Sequence, residues 1–406
     1  MPTPLYLDAA RMGQMSPSTR LALQEFVRFA GEYGGTLYFE DFLKNGFGSL
    51  PSSIQSIHPH LYSWRGLCRF EAMLSRSVGA IHDYLPLLAS RTAYLVKLAG
   101  RVLFEGGRRS LMTDLSWPSY ASIFQRECGR HAGQLLSIPI RDMILRDRCK
   151  PDELISHLVA AVAKYECDGL FLPAVSHEGI RLPLESLAAA MRARHPSLRL
   201  IIDGAQAFGH VPLNLADIRC SFFLAGSHKW LGAYLPLGVG FVRKADVIAR
   251  RPHSLSDPLM HFLAEIRNTH PFRFGETVSL TPLFACCAAL EELADIASSF
   301  RVRLDNADRI ADATCEGWRS IRPHPGLRSG ILLLSPGSRT LRCVSPQILR
   351  DHFQRHGIAV TVYPGSMVRM AMPDVPFSFE DVLSIRNACR NLDTTLFSPE
   401  FKPIQV

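Results

Sequence analysis

The sequence predicts an α/β fold, with a large domain on a mostly parallel sheet and a smaller C-terminal α+β domain. Two observations support this prediction. From residue 151 to residue 243, short apolar runs alternate with segments of helical periodicity, which is typical of a parallel sheet covered by helices on both faces. Near residue 280 this alternation ends, and Thr281-Pro282 provides a hydroxyl cap followed by a proline suited to the first helical position.

The predicted elements follow in order along the chain. Apolar residues at helical spacing predict helices over 151–166 and 184–191, and short apolar runs predict strands at 169–175, 198–202, 221–225 and 238–242. Beyond the break, the same criteria predict one long helix from 281 through 296, strands at 330–334 and 358–362, and helices at 346–356 and 379–392.

Composition narrows the class of protein. Of the 406 residues, 47% are hydrophobic and 20% are charged, which excludes wholesale disorder, collagen and coiled coil. We find neither a run of about 20 uncharged apolar residues nor a signal sequence, so we expect a cytoplasmic protein with no membrane partner. The formal net charge is +8, but the basic residues are scattered, so we expect no nucleic-acid partner.

The cysteines and histidines do not predict a metal site. The ten cysteines contain no CxxC pair, and in a chain without a signal sequence they are interpreted as reduced thiols. His58-Pro59-His60 has a proline between the histidines and no cluster of other ligands nearby, so we interpret it as a loop. We therefore expect no metal.

Two residues of opposite charge follow neighbouring predicted strands. Asp203 comes after the strand at 198–202, and Lys229 comes shortly after the strand at 221–225. Open parallel sheets bind ligands at the carboxyl ends of their strands. A lysine there can form a Schiff base with an aldehyde, and a carboxylate can keep a ring nitrogen protonated. A salt bridge at the sheet edge is the alternative, and spacing alone does not choose between them.

Three segments carry a resemblance to a known family: Tyr6-Leu-Asp-Ala-Ala10, Ile201-Ile-Asp203-Gly-Ala-Gln206 and Gly226-Ser-His228-Lys229-Trp-Leu-Gly232. Together they resemble the class V aminotransferases, which are fold-type-I enzymes dependent on pyridoxal 5'-phosphate (PLP) and include cysteine desulfurases and isopenicillin N epimerase-like proteins.

The resemblance covers most of the chain and implies an overall organisation. It implies a seven-stranded-type sheet in a large PLP-binding domain, residues 31–280. It also implies a small C-terminal domain at 281–406, with residues 1–30 forming an N-terminal segment that packs on the small domain. A homodimer whose active site is shared at the interface is implied as well.

The resemblance also assigns roles to residues of the two central motifs. Lys229 would form the Schiff base with PLP and carry the proton at Cα. Asp203 would pair with the pyridine nitrogen, Gln206 would bond the phenolic oxygen, and His228 would lie beside the phosphate.

Four further residues match cofactor positions by resemblance. Trp117 falls where the family places a ring stacked on PLP, the alternative being a buried core aromatic. Ser90, Arg91 and Thr92 precede an amphipathic helix where the family has its phosphate loop. An ordinary helix cap is the alternative for these three.

Two matches lie later in the chain. Thr277 takes the place of a threonine that reaches the phosphate of the partner subunit. Arg369, in Val368-Arg-Met-Ala-Met-Pro373, resembles the arginine that clamps the substrate α-carboxylate, a task for which a guanidinium with two parallel donors is well suited. A surface arginine on a strand is the alternative for Arg369.

The sequence also departs from the family pattern. His177 stands where desulfurases commonly carry Asn, and it is interpreted as a hydrogen-bond donor, an acid or base, or a structural histidine. Gly226 replaces a phosphate-binding serine. Cys315 and Cys343 lack the neighbours expected of a persulfide-forming cysteine, which disfavours a desulfurase.

By resemblance, the run His228-Lys229-Trp230 is similar to the lyases and epimerases of the family more than to its plain transaminases. On that resemblance we expect a PLP-dependent lyase that acts on a small or cysteine-derived α-amino acid. The alternatives are an aminotransferase or an epimerase and, more remotely, a non-catalytic protein that binds PLP or an amino acid.

Overall fold

The structure, a computed structural model, describes residues 4–34, 36–247, 257–267, 277–314 and 317–396. The chain begins with a short strand and a group of helices that precede the main sheet. These are β1 (Leu5–Tyr6), α1 (Pro17–Tyr33), α2 (Thr36–Asn45), α3 (Ser52–Ile57) and α4 (Leu67–Ser77).

The main sheet has seven strands, and it confirms the predicted large domain with a mostly parallel sheet. Its strands are β2 (Tyr84–Ala89), β3 (Arg109–Thr113), β4 (Gln134–Ile138), β5 (Gly169–Pro173), β6 (Arg199–Asp203), β7 (Phe222–Gly226) and β8 (Gly238–Arg243). Their order is β2-β8-β7-β6-β5-β3-β4, and β8 runs in the direction opposite to that of the other six strands.

Helices that connect or follow these strands pack on the sheet in two separate core clusters. They are α5 (Thr92–Phe104), α6 (Pro118–Arg130), α7 (Arg141–Leu145), α8 (Pro151–Lys164), α9 (Leu184–Arg194), α10 (Leu215–Ile218), α11 (Lys244–Val247), α12 (Pro258–Arg267) and α13 (Thr281–Glu291). All five residues of β5 and of β7 are buried, as expected of central parallel strands that carry continuous apolar runs.

A smaller α+β unit follows, which confirms the second part of the predicted fold. It comprises α14 (Ile296–Ala313), β9 (Trp318–Ile321), β10 (Ile331–Pro336), α15 (Arg339–Arg342), α16 (Pro346–Arg355), β11 (Ile358–Ala359), β12 (Thr361–Tyr363), β13 (Met367–Ala371) and α17 (Phe379–Leu396). Four of its strands form an antiparallel sheet in the order β12-β13-β10-β9. The N-terminal strand β1 pairs in parallel with β11, so the start of the chain joins this unit.

Two predicted elements are each divided in the structure. The single helix predicted through residue 296 is wrong, because α13 ends at Glu291 and α14 begins at Ile296. The Asp295 side chain accepts hydrogen bonds from the backbone N–H groups of Ala297 and Ser298, and this cap starts a new helix. The strand predicted at 358–362 consists of β11 and β12, which pair with different partners.

Packing separates two cores near the expected domain boundary. The buried residues of α13, such as Leu283 and Phe284, belong to the core cluster of the large sheet. The core of the small unit starts at Ala307 on α14 and includes Leu7 from the N-terminal segment. The change of core thus falls within α14, between Phe300, which belongs to the core of the large sheet, and Ala307, and the domain boundary at residue 280 stays a prediction. Among the described residues, no helix is long and apolar enough to cross a membrane.

Candidate active site

The predicted site residues come from loops at the carboxyl ends of parallel strands. Asp203 is the last residue of β6, Lys229 lies three residues beyond β7, and Thr92 opens α5 after β2. Trp117 is the N-cap of α6 beyond β3, and His177 lies in the loop beyond β5. Most of the predicted residues line one cavity of about 590 Å³, namely Arg91, Thr92, Trp117, His177, Gln206, His228, Lys229 and Arg369.

Asp203 and Lys229 form a buried pair of opposite charge at this edge of the sheet. Asp203 is 6% exposed, and its carboxylate accepts a hydrogen bond of 2.9 Å from the backbone N–H of Ala205. Burial raises the pKa of Asp203 to about 6, against the opposing effects of that hydrogen bond and of Lys229. Burial likewise lowers the pKa of Lys229 to about 8, which makes its amine a nucleophile near neutral pH.

A small pocket at the start of α5 has the character of an anion cradle. His228 is neutral at pH 7, because burial lowers its pKa to about 4, and its buried Nδ1 atom has no hydrogen-bond partner within the described residues. A Cβ atom at Gly226 would lie 2.9 Å from Thr92 Oγ1 and 3.0 Å from His228 Nδ1. Because residue 226 is glycine and has no side chain, Thr92 and His228 can lie close together beside the first turn of α5 without a steric clash.

Three predicted cofactor residues are not among those that line the cavity: Ser90, Thr277 and the buried Asp203. The hydroxyl and the backbone N–H of Ser90 both donate to the carboxylate of Asp257, with a hydroxyl-to-carboxylate distance of 2.5 Å. Ser90 thus fastens the loop before α5 to the start of α12. Thr277 is exposed, away from the cavity lining. The hydroxyl of Ser227 donates to the backbone oxygen of Leu235, so it does not take the place of a serine at 226.

The orientation of the Gln206 amide is fixed by its neighbours. Its Oε1 atom accepts a hydrogen bond of 2.8 Å from the indole N–H of Trp230, and its Nε2 atom donates to the backbone oxygen of Ala10 at 2.8 Å. His210 stacks on Trp230 at 3.6 Å between ring centroids. Since Oε1 is taken, the polar group that Gln206 has left to offer a ligand is its second N–H.

His210 itself links the two parts of the chain. It is fully buried, and its Nδ1 atom lies 2.7 Å from the backbone oxygen of Gln206, while its Nε2 atom accepts from the backbone N–H of Gly330 at 3.0 Å. These partners require a neutral ring protonated at Nδ1, in agreement with the lowering of its pKa by burial. The ring therefore joins the loop of Gln206 to the small unit.

His177 lies between two aromatic rings at the cavity. Its ring is 5.2 Å from that of Trp117 and 5.8 Å from that of Tyr363, in edge-on arrangements. Burial lowers the pKa of His177, so the ring is neutral at pH 7, and its Nδ1 atom is buried without a partner among the described residues. Trp117 itself is 42% exposed, which leaves it available to a ligand and disagrees with a core role.

Arg369 brings a guanidinium from the small unit into the cavity. It is 4% exposed on β13, which disagrees with a surface role. It donates to the backbone oxygen of His177 at 3.3 Å and to Thr361 Oγ1 at 3.1 Å, and it lies 3.4 Å from a carboxylate oxygen of Asp8. Its Nε atom is buried and has no partner among the described residues. This free N–H is suited to a ligand carboxylate.

The cavity residues that the sequence reasoning missed include Arg11, Tyr120, Arg350 and Tyr363. Tyr120 lies one turn beyond Trp117 on α6, so helical spacing was a signal for it. Burial and the Asp203 carboxylate raise its pKa. Arg11 directly follows the motif that ends at Ala10, Tyr363 lies five residues before the segment of Arg369, and Arg350 lies on α16; no spacing indicated that these three side chains reach the cavity.

The residues present fit PLP. Buried nitrogen atoms without partners at His228, His177 and Arg369 are suited to a phosphate, a phenolic oxygen and a substrate carboxylate respectively. Lys229 has a lowered pKa and interacts with the buried carboxylate of Asp203. This pair suits PLP, because the lysine can bind the aldehyde and the carboxylate can bind the ring nitrogen. The fold and this set of groups are typical of the fold-type-I PLP-dependent enzymes.

Comparisons with known proteins agree with this class. Residues 138–297 match the family model of the class-V aminotransferases. The chain is 30% identical to an isopenicillin N epimerase of Streptomyces clavuligerus over 172 residues, which are 42% of this chain and only 41% of that protein. It is 27% identical to an isopenicillin N epimerase of Amycolatopsis lactamdurans over 293 residues, covering 63% of this chain and 70% of that protein.

Solved structures support the fold over nearly the whole chain. A C-DES variant with glycine covalently linked to its PLP cofactor has a TM-score of 0.71 at 13% identity, covering 95% of this chain and 97% of that one. A cysteine desulfurase of Escherichia coli has a TM-score of 0.70 at 16% identity, with coverages of 96% and 95%. The similarity to the class-V aminotransferase family model thus lies in residues 138–297, whereas the similarity of fold extends over nearly the whole chain.

Proposed function

We propose that this chain is a PLP-dependent lyase that cleaves a small or cysteine-derived α-amino acid by β-elimination. The observation that carries the proposal is the set of groups at the cavity. It comprises a lysine of lowered pKa, a neutral histidine and a buried guanidinium, and the described lining contains no cysteine. When bound, PLP supplies an aldehyde for the lysine and a protonated ring that accepts electrons.

The residues around the ring hold it in its reactive form. Asp203 would keep the proton on the ring nitrogen, and Gln206 and His177 would donate hydrogen bonds to the phenolic oxygen. His228 and the start of α5, with Arg91 and Thr92, bind the phosphate, where backbone N–H groups and the helix dipole favour an anion. Ser90 acts on this loop through its hydrogen bonds to Asp257.

Two residues act on the substrate. Arg369 would bind the α-carboxylate and so fix the orientation of the bonds at Cα. The Lys229 amine would take the proton from Cα, and the electron pair of the broken C–H bond would form a double bond between Cα and Cβ. The bond from Cβ to its substituent would break at the same time, and the substituent would leave with the electron pair of that bond. Hydrolysis of the remaining fragment gives pyruvate and ammonia when the substrate is a cysteine derivative.

Persulfide formation is not part of the proposal, because it requires a cysteine thiolate at the substrate sulfur. Cys343 is exposed and does not line the cavity, and Cys315 lies outside the described residues. An epimerase is the second candidate, since two relatives are isopenicillin N epimerases. An aminotransferase remains a further alternative, and its reaction would transfer the amino group to the cofactor.

We also propose that the chain works in the cytoplasm as a homodimer. Trp117 is large, apolar and 42% exposed beside the cavity, and the exposed Thr277 is available to a partner subunit's phosphate. Light scattering is expected to give twice the 45.2 kDa of one chain. A mass of one chain would contradict the dimer.

The test is a product panel on the PLP-loaded protein. With cysteine and its S-conjugates we expect pyruvate and ammonia in equal amounts. The panel also measures keto acid together with pyridoxamine phosphate, which detects transamination, and a change of configuration at Cα, which detects epimerisation. Lys229→Ala is expected to abolish turnover, whereas Lys244→Ala, which removes an exposed lysine, is the control. Transamination or epimerisation without elimination would contradict the lyase proposal in favour of an aminotransferase or an epimerase. Cofactor binding without any product would indicate a non-catalytic protein.

A further inference from the structure

The cavity carries more positive charge than the proposed reaction requires. Its described lining carries the cationic side chains of Arg11, Arg91, Lys229, Arg350 and Arg369, and no aspartate or glutamate. A concave site lined by one sign of charge attracts ligands of the opposite sign.

Most of these cations already have a counter-charge or a role. Lys229 faces the Asp203 carboxylate, and Arg369 lies 3.4 Å from Asp8. Under the proposed function, Arg91 is at the phosphate and Arg369 binds the α-carboxylate. Arg11, which is exposed, and Arg350 remain without a carboxylate partner in the part of the chain that the structure describes.

Arg350 is the more constrained of these two. It lies half-buried on α16, and its one hydrogen bond among the described residues runs from Nη2 to Gln347 Oε1 at 3.0 Å. Its Nε atom is buried and has no partner there. An N–H of a charged group that is withdrawn from water without an acceptor is costly, so an acceptor within the cavity would be favourable.

We propose that Arg350 binds a second anionic group of the substrate. The substrate class is then an α-amino acid whose side chain ends in a carboxylate or a sulfur oxyanion, with the α-carboxylate on Arg369 and the side-chain anion on Arg350. A guanidinium binds such planar or tetrahedral oxyanions through two donors. This inference rests on the proposed function and narrows its substrate.

The test uses ligands that cannot react, so that binding is measured apart from turnover. Succinate and glutarate carry two carboxylates and no amine, and succinamate and glutaramate are their uncharged-end counterparts. Calorimetric titration of the PLP-loaded protein is expected to give a dissociation constant at least about tenfold lower for one dicarboxylate than for its monoamide, as a charge-assisted hydrogen bond gives.

Variants locate the effect. Arg350→Gln is expected to bring the ratio of the two dissociation constants to within about twofold of one, while Arg350→Lys keeps part of it. Arg355→Gln removes the same charge from the exposed side of α16 and is expected to leave the ratio unchanged. Circular dichroism and the cofactor absorbance of each variant establish that it is folded and loaded.

Two outcomes would overturn the inference: a ratio near one in the unaltered protein, or a high ratio that persists in Arg350→Gln. Failure of the proposed function is recognised separately. The cofactor absorbance at roughly 410–430 nm is recorded before any titration, and its absence contradicts PLP binding by lysine whatever the dicarboxylates do.

Discussion

At the residue scale, the site depends on burying charge where a cofactor can compensate for it. The pKa of Asp203 is raised to about 6, mainly by burial, from an unfolded value of about 3.9. A raised carboxyl pKa means that the folded chain disfavours the ionised form. Without cofactor, the stability associated with Asp203 is therefore full below pH 4 and falls as the pH rises through about 6.

Asp203→Asn is accordingly expected to stabilise the PLP-free protein. At pH 8 its free energy of unfolding should exceed that of the unaltered protein by on the order of 1–3 kcal/mol, and the difference should shrink towards pH 4. Thermal or denaturant unfolding at both pH values measures it. Asp305→Asn, which alters an exposed carboxylate on α14, serves as control and should change little.

The same variant is expected to bind PLP more weakly, since Asn cannot hold a cationic ring nitrogen as a carboxylate does. Loss of stability at pH 8, or unchanged PLP affinity, would contradict the role given to Asp203. A variant that is more stable but binds its ligand more weakly is typical of a functional residue whose burial lowers the stability of the free protein.

At the element scale, a single buried carboxylate connects two helix starts. Asp257 is 1% exposed, and it accepts hydrogen bonds from Ser90 and from the backbone N–H of Met260 in the first turn of α12. The start of α12 and the loop before α5 are therefore fixed to each other. We expect the anion cradle at the start of α5 to depend on this link, although Ser90 does not line the cavity.

Asp257→Ala should lower the free energy of unfolding of the PLP-free protein by about 1–3 kcal/mol, through loss of a helix cap and of a buried acceptor. It should also weaken PLP binding, because the start of α5 loses its anchor. Urea unfolding and PLP titration measure the two effects, and Asp257→Asn, which keeps one acceptor oxygen, should do less harm. Full PLP affinity in Asp257→Ala would refute the anchoring role.

Elements with strong local patterns could be predicted from the sequence. Apolar runs gave strands close to β5, β6 and β7, and Pro151 and Thr281-Pro282 marked helix starts. The break between α13 and α14 was missed because apolar residues continue past Glu291, and Asp295 as a cap was not recognised. Ser90 was placed at the phosphate because sequence does not reveal Asp257 as the partner of its hydroxyl.

At the scale of the whole molecule, the site is assembled from two units. Arg369 comes from the small sheet and contacts the backbone of His177 beyond β5 and Asp8 of the N-terminal segment. Arg350 and Tyr363 reach the same cavity from the small unit. From the sequence, Arg369 could be predicted as a site residue only through its resemblance to a family motif. Arg350 and Tyr363 could not be predicted, because tertiary packing brings them to the cavity.

Arg369→Ala tests this assembly. It should raise KM for the amino-acid substrate at least about tenfold, since a charge-assisted hydrogen bond to the carboxylate is lost, while the cofactor absorbance persists. Steady-state kinetics with spectra of the same preparation measure both quantities. Arg319→Ala, on the exposed side of the same sheet, is the control. A loss of the cofactor absorbance in Arg369→Ala would show that the residue serves the cofactor instead.

The central claim is that Lys229 carries the cofactor, and its most direct measurement is chemical. Borohydride reduction of the PLP-loaded protein fixes the cofactor to its lysine, and peptide mass spectrometry then identifies that lysine. The predicted result is a pyridoxyl group on Lys229 alone, which is lost in Lys229→Ala. A pyridoxyl group on another lysine, or no labelled peptide from a protein that was saturated with PLP, would contradict the account.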